Sequence, residues 1–270
     1  FVLLLSLCWG LCASAAARPI RGTVKCGGKP LEGITVTDGY SFARSDAAGE
    51  FTLDTNDDAL FISVVTPSGY IAPTEGGVPQ FYRPYVPATK RYDFCLQPWP
   101  ATGEVYELLA IADPQPKTET HFERLRTEII PELQRTAAAG KAQGVQQAAI
   151  LLGDIVWDSP ELFTRVKTQF ASLGIPVYGV IGNHDHDQTT LLKDSLGTMH
   201  YEMHLGPTCY SANIGRVHYI FIDDILYDRK DAKESYRHGL YDETVHWLIE
   251  DLKYVPKDKI IMICACLLYT

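Results

Sequence analysis

The chain has 270 residues, of which 46% are hydrophobic and 21% charged, enough for one large domain or two modest ones. Its formal net charge of -9 argues against a protein that grips a nucleic-acid backbone with a basic surface. It leaves open a phosphate-bearing substrate, because metal ions reverse the charge of a local acidic site.

The first residues, FVLLLSLCWGLCASAAARP, form an apolar run ending in small residues, as in the core and cleavage region of a secretory signal peptide. Residues 1–17 are therefore expected to direct export to a periplasmic, cell-surface or extracellular location. The run is short for a retained membrane anchor, and no later segment is long enough to span a bilayer. Trp9, Gly10 and Leu11 fit a lipid-attachment signal at Cys12 poorly. Cys8 and Cys12 would leave with the signal. Cys26 and Cys95 flank the next segment and would either bridge it or stand as two separate buried thiols. Cys209, Cys264 and Cys266 have no zinc-site spacing to nearby histidines.

Residues 21–97 alternate short apolar runs with turn signals such as GGKP and DAAG. TVKC, GITVTD and GEFTLD carry near period-two patterns, and several such strands at this spacing predict a small β-sandwich. Asp54, Asp57 and Asp58 lack the spacing of a calcium loop and read as a solvated turn. The aromatic, proline-rich stretch GGVPQFYRPYVPATKRY is expected to be a loop pinned by Phe81, Tyr82 and Tyr85, with ligand binding as the other reading. Two prolines and a glycine make 98–104 a linker.

From residue 105 to 270 strands alternate with helices. EVYELLAIAD is a strand ending in Asp113, and TETHFERLRTEIIPELQRTAAAG is a helix with Thr120 and Glu123 spaced as a capping box. Pro131 is expected to kink or divide that helix. VQQAAILLGD is a strand ending in Asp154; SPELFTRVKTQFASLG is a helix capped by Ser159 with Pro160 in its first turn. IPVYGVIGNHD, GRVHYIFIDD and DKIIMICAC are further strands, and DETVHWLIEDLKYV is a helix. The alternation predicts an α/β domain around a buried sheet.

Asp113, Asp154, and Asn183 with His184 each follow an apolar strand, where open α/β folds collect ligand groups. Gly153 and Gly182 would let the backbone turn close to an ion. Carboxylate, amide and imidazole groups suit a site for two divalent metal ions, with manganese, iron or zinc all compatible. His184 is placed to protonate a leaving alkoxide, oriented by Asp154 or a neighbouring acidic residue. Asp185 and His186 would support the ligands from behind or form a surface pair. Asp223 and Asp224 would line the pocket or cap the strand. His218, inside a strand, reads as a satisfied, partly buried histidine.

These blocks resemble the calcineurin-like metallophosphoesterase family. Its Asp-x-His, Gly-Asp and Gly-Asn-His-Asp/Glu motifs are similar to DPQ (113–115), GD (153–154) and GNHD (182–185) here. Gln115 replaces the usual histidine, as in an Asp-Pro-Gln branch that includes secreted bacterial members and a phosphatase-like eukaryotic protein. GKPLEGITVTDG, GEFTLDT and FISVVTPSGY resemble the β-sandwich that precedes the catalytic domain in a bacterial subgroup.

The resemblance implies a small N-terminal β-sandwich plus an α/β metallophosphoesterase domain of four-layer α/β/β/α type, incomplete here. It implies that Asp113 holds one metal, Asp154 bridges, Asn183 holds the second and Gln115 adds a weaker ligand, directly or through water. His184 would assist protonation. The implied activity is hydrolysis of a phosphorylated small molecule, lipid or protein by a metal-activated water. The family completes its site with a later strand-end histidine and a Gly-His-x-His block. Cys266 stands near the place of the first, and the chain ends at Thr270 without the second. Truncation is the expected cause, with weak or no catalysis. A non-catalytic, exported glycan- or protein-binding module is the alternative.

Overall fold

The computed structural model describes residues 18–99, 105–189, 194–227 and 236–267. The expected signal segment and most of the expected linker lie outside the described residues. The N-terminal region is built from β1 (Arg18–Cys26), β2 (Lys29–Pro30), β3 (Thr35–Thr37), β4 (Phe42–Arg44), β5 (Glu50–Thr55), β6 (Phe61–Val64), β7 (Tyr70–Ile71), β8 (Thr74–Glu75), β9 (Val78–Pro79), β10 (Tyr82–Pro84) and β11 (Arg91–Pro98). β5 and most of β11 alternate exposed and buried residues, the signature of strands with one face in a core. One sheet runs β2-β1-β11-β7, with β5 also on β1; the other runs β10-β6-β3-β4. Ile20, Val24, Phe51, Leu53, Phe94 and Leu96 of the first share a core with Val36, Ile62 and Val64 of the second.

The parallel register pairs Lys25 with Cys95 and Cys26 with Leu96. This one-residue offset turns Cys26 and Cys95 to opposite faces of the sheet, so no bridge forms. Both thiols are free. Neither is fully buried, Cys95 being exposed. The proline-rich stretch packs as expected and also reaches the second region. Phe81 lies 4.7 Å from the Tyr210 ring, and Tyr82 occupies the space a Cβ would need at Gly206.

The second region contains β12 (Tyr106–Ala112), α1 (Glu119–Arg124), α2 (Ile130–Ala142), β13 (Gln146–Leu152), α3 (Phe163–Ala171), β14 (Val177–Val180), α4 (Asp194–Gly197), α5 (Met199–Leu205), β15 (Tyr210–Ile214), β16 (Val217–Phe221), β17 (Ile225–Leu226), β18 (Arg237–His238), α6 (Asp242–Tyr254) and β19 (Ile260–Cys264). β12-β13-β14 form a parallel sheet. In the second sheet, β15-β16-β19, β15 is antiparallel to β16 and β19 parallel to it. The sheets meet face to face through stacked rings, Tyr178 on Phe221 at 5.3 Å and on Tyr210 at 6.5 Å. Phe122, Phe163, Val166 and Phe170 of the helices cover the outer face of the first sheet. On the outer face of the second, Asp251 of α6 accepts from Ser211 at 2.7 Å and pairs with His218 at 2.7 Å. The order is therefore α/β/β/α among the described residues.

Two local expectations change. The first helix starts two residues earlier than the capping box implied: Thr118 is the N-cap and accepts from the His121 N–H. Pro131 divides the α-helical run, as expected, and stands in the first turn of α2. A π-turn, Leu125–Ile129, precedes α2, and the Ile130 N–H donates to the Leu125 carbonyl. The one-residue shift absorbs a proline that cannot donate and whose ring crowds the preceding turn. Ser159 makes no side-chain cap bond, and Pro160–Leu162 form a 3-10 turn ahead of α3.

Candidate metal centre

β12, β13 and β14 run parallel and adjacent, so the loops after Ala112, Leu152 and Val180 emerge on one side. They carry Asp113, Asp154 and the turn Asn183–Asp185. The non-glycine residues with positive φ among the described residues are Asp113 (48°), Gln115 (37°), Asp154 (45°) and Asp158 (48°). All four lie in these loops. Such conformations cost on the order of 1–3 kcal/mol each and persist where surrounding contacts fix them. The Gln115 N–H donates to the Asp154 carbonyl at 3.1 Å, and the Asp158 N–H to the His184 carbonyl at 3.0 Å.

Two glycines bring the loops into contact. A Cβ on Gly182 would stand 2.2 Å from the Asp154 nitrogen and 2.8 Å from Cys266 Sγ; one on Gly153 would stand 2.3 Å from the same sulfur. Ligand atoms of Asp113, Asp154 and Cys266 all lie within 4.8 Å of one another, close enough to converge on one cation. Asp154 is held at both oxygens. Its Oδ1 accepts from the His184 N–H at 2.9 Å, and its Oδ2 accepts from Gln115 Nε2 at 2.7 Å.

The electrostatics favour a cation. Burial, then the Asp154 carboxylate, raise the Asp113 pKa. Burial, then Asp154, Asp224, Asp185 and Asp113, raise that of the Cys266 thiol. Asp224 is 8% exposed, and its Oδ1 is buried without a hydrogen-bond partner. A divalent ion would compensate this concentration of negative charge, so the donor set fits a metal. His184 stands at the rim, about a quarter exposed, with Nδ1 2.8 Å from Asp158 Oδ1. The carboxylate accepts from Nδ1, which leaves Nε2 as the ring atom able to exchange a proton with a ligand.

A family model described as calcineurin-like phosphoesterase matches residues 106–261, and one described as N terminal of calcineurin-like phosphoesterase matches residues 18–99. The chain belongs to the calcineurin-like phosphoesterase family. No curated protein matches it.

Within this family setting, the structure brings Asp113 close to Asp154 and the His184 backbone onto Asp154, with Asn183 buried at the head of the turn after Gly182. Gln115 turns its amide nitrogen, rather than its carbonyl, to Asp154. Asp185 and His186 are not a surface pair, since both are fully buried. Asp185 accepts from the backbone N–H groups of Val156 and Gly182 and ties the two loops together. Burial pushes its pKa up to about 7. His186 Nδ1 meets the Gly182 carbonyl at 2.9 Å. His218 is buried and fully engaged, bonded to Asn213 and Asp251.

The sequence reading did not single out Asp158, the partner of His184, although it closes GDIVWD. It also missed Trp157, whose ring lies 5.2 Å from His184. Lys117 lies over that indole at 5.6 Å and sets a positive charge at the rim of an acidic site.

Proposed function

We propose that this chain is an exported metal-dependent phosphoesterase that cleaves a phosphomonoester or phosphodiester by in-line attack of water, without a covalent enzyme intermediate. The carrying observation is the convergence of Asp113, Asp154 and Cys266 beside Asn183 and His184, at the strand ends of a calcineurin-like fold. Asp113 would hold one ion, Asp154 would bridge, and Asn183 would serve the second. When bound, the ions would neutralise phosphoryl oxygens and acidify the attacking water. Gln115 and the His184 N–H fix the orientation of Asp154. Asp158 holds the His184 ring so that Nε2 can deliver a proton to the leaving oxygen.

The substrate would be a phosphorylated small molecule, lipid or protein, and Asp-Pro-Gln at 113–115 supports placement in that branch. The 270 residues hold no Gly-His-x-His block, so turnover of this chain is expected to be weak. The binding-module reading loses its aromatic surface, because Phe81 and Tyr82 are buried in packing. The test is metal-dependent hydrolysis of model aryl mono- and diesters by the chain and by Asp154→Ala. Equal rates would sink the assignment. His184→Asn should lower any turnover by about 100-fold or more while metal binding persists.

A further inference from the structure

We propose that Cys266 supplies a thiolate to the cation held between Asp113 and Asp154, turning the site's preference toward thiophilic divalent ions (zinc, cobalt, cadmium) and away from magnesium and manganese. The proposal rests on the metal-site reading above and narrows it.

The sulfur is built into the site. Its Sγ is one of the three ligand atoms within 4.8 Å of each other. It sits against both loop glycines, so that a methyl group on Gly153 or Gly182 would fall 2.3 Å or 2.8 Å from it. The segment that carries it is fixed on either side. The Ile222 N–H donates to the Cys264 carbonyl at 3.0 Å, and the Leu267 N–H donates to Asp224 Oδ2 at 3.0 Å. Asp224, whose charge acts on the same sulfur, keeps a buried oxygen without a hydrogen-bond partner. An all-oxygen set would suit magnesium or manganese, whereas a thiolate among carboxylates suits zinc and its softer relatives. On binding, the S–H bond breaks, its proton passes to solvent, and a metal–sulfur bond forms.

Cobalt(II) titration of the purified chain reads this directly. The wild type should develop a near-ultraviolet sulfur-to-cobalt charge-transfer band that saturates with the visible cobalt bands. Cys266→Ser should keep cobalt but lose that band. Cys264→Ser, altering a cysteine buried between the sheets, should retain it. Competition should show zinc-over-manganese selectivity falling by about tenfold or more in Cys266→Ser. X-ray absorption of the zinc-loaded wild type should show a sulfur neighbour at about 2.3 Å, a measurement independent of how any variant folds. Cobalt binding without the band, or a band that survives Cys266→Ser, overturns the thiolate and leaves the carboxylate site standing. No cobalt binding by the wild type overturns both.

Discussion

Gly182→Ala separates space from backbone conformation at the candidate metal centre. Gly182 has φ −119° and ψ 175°, a conformation open to any residue, so alanine brings no dihedral strain. Its Cβ would lie 2.2 Å from the Asp154 nitrogen, 2.3 Å from Asp154 Oδ1 and 2.8 Å from Cys266 Sγ, where ordinary contact begins at 3.4 Å. Two of those atoms belong to Asp154 and the third to Cys266. The nearest is backbone, so a side-chain rotation cannot relieve it. The loops must part by roughly 1 Å, and overpacking of this kind costs about 1–3 kcal/mol. A shift of that size in positioned ligands is expected to weaken zinc binding by about 10- to 100-fold. Urea denaturation measures the first effect and calorimetric zinc titration the second. Gly174→Ala is the control: its Cβ would meet nothing within 4 Å, but its φ is 67°. It should cost about 1–2 kcal/mol through strain and leave zinc affinity unchanged. Wild-type zinc affinity in Gly182→Ala, with less than about 0.5 kcal/mol lost, would refute the contact between the loops.

Asp251→Ala removes the shared partner of Ser211 and His218, both buried, and should destabilise the chain by about 3–5 kcal/mol in urea. Cys26→Ser and Cys95→Ser should each leave the denaturation midpoint within about 0.5 kcal/mol of wild type, with both thiols titratable in denaturant without a reductant; a bridge would contradict the strand register. The His204 pKa is lowered by burial, then by Lys167 and His200. The unfolded chain therefore takes up this proton first as pH falls. The stabilising contribution is present above the unfolded value of about 6.5 and is lost as pH drops through the lower folded value. His204→Gln should flatten that part of the stability profile.

The fold was legible where one face of an element meets a core and the other meets water or a covering layer. β5 and β11 follow period two because only their inner faces enter the sandwich. β13 and β14 read as continuous apolar runs because helices cover one side and the second sheet the other. β15 escaped notice for a tertiary reason. Ser211 and Asn213 interrupt its apolar pattern, yet they face Asp251, His218 and Thr66, which satisfy them inside the protein. At α5 the Thr198 side chain makes no cap bond to the backbone and donates to Glu202 Oε1 instead. The capping-box error came from two threonines two residues apart; only Thr118 takes an extended conformation and holds the His121 N–H.

Asp113, Asp154 and Asn183 could be read in sequence because each sits at the end of its own strand, and parallel neighbours deliver such residues to one place. Cys266 obeys a different rule. Its strand, β19, pairs with β16 and not with β13 or β14. It reaches Gly153 and Gly182 because the two sheets stack through Tyr178 on Tyr210 and Phe221. One sheet delivers Asp113, Asp154 and Asn183, and the other delivers Cys266 and Asp224. The candidate metal centre therefore lies at the seam of the β/β interface, and neither sheet alone contains it. Ligand convergence then depends on core packing, so enlarging or emptying the Tyr178–Phe221 contact should perturb metal binding as well as stability.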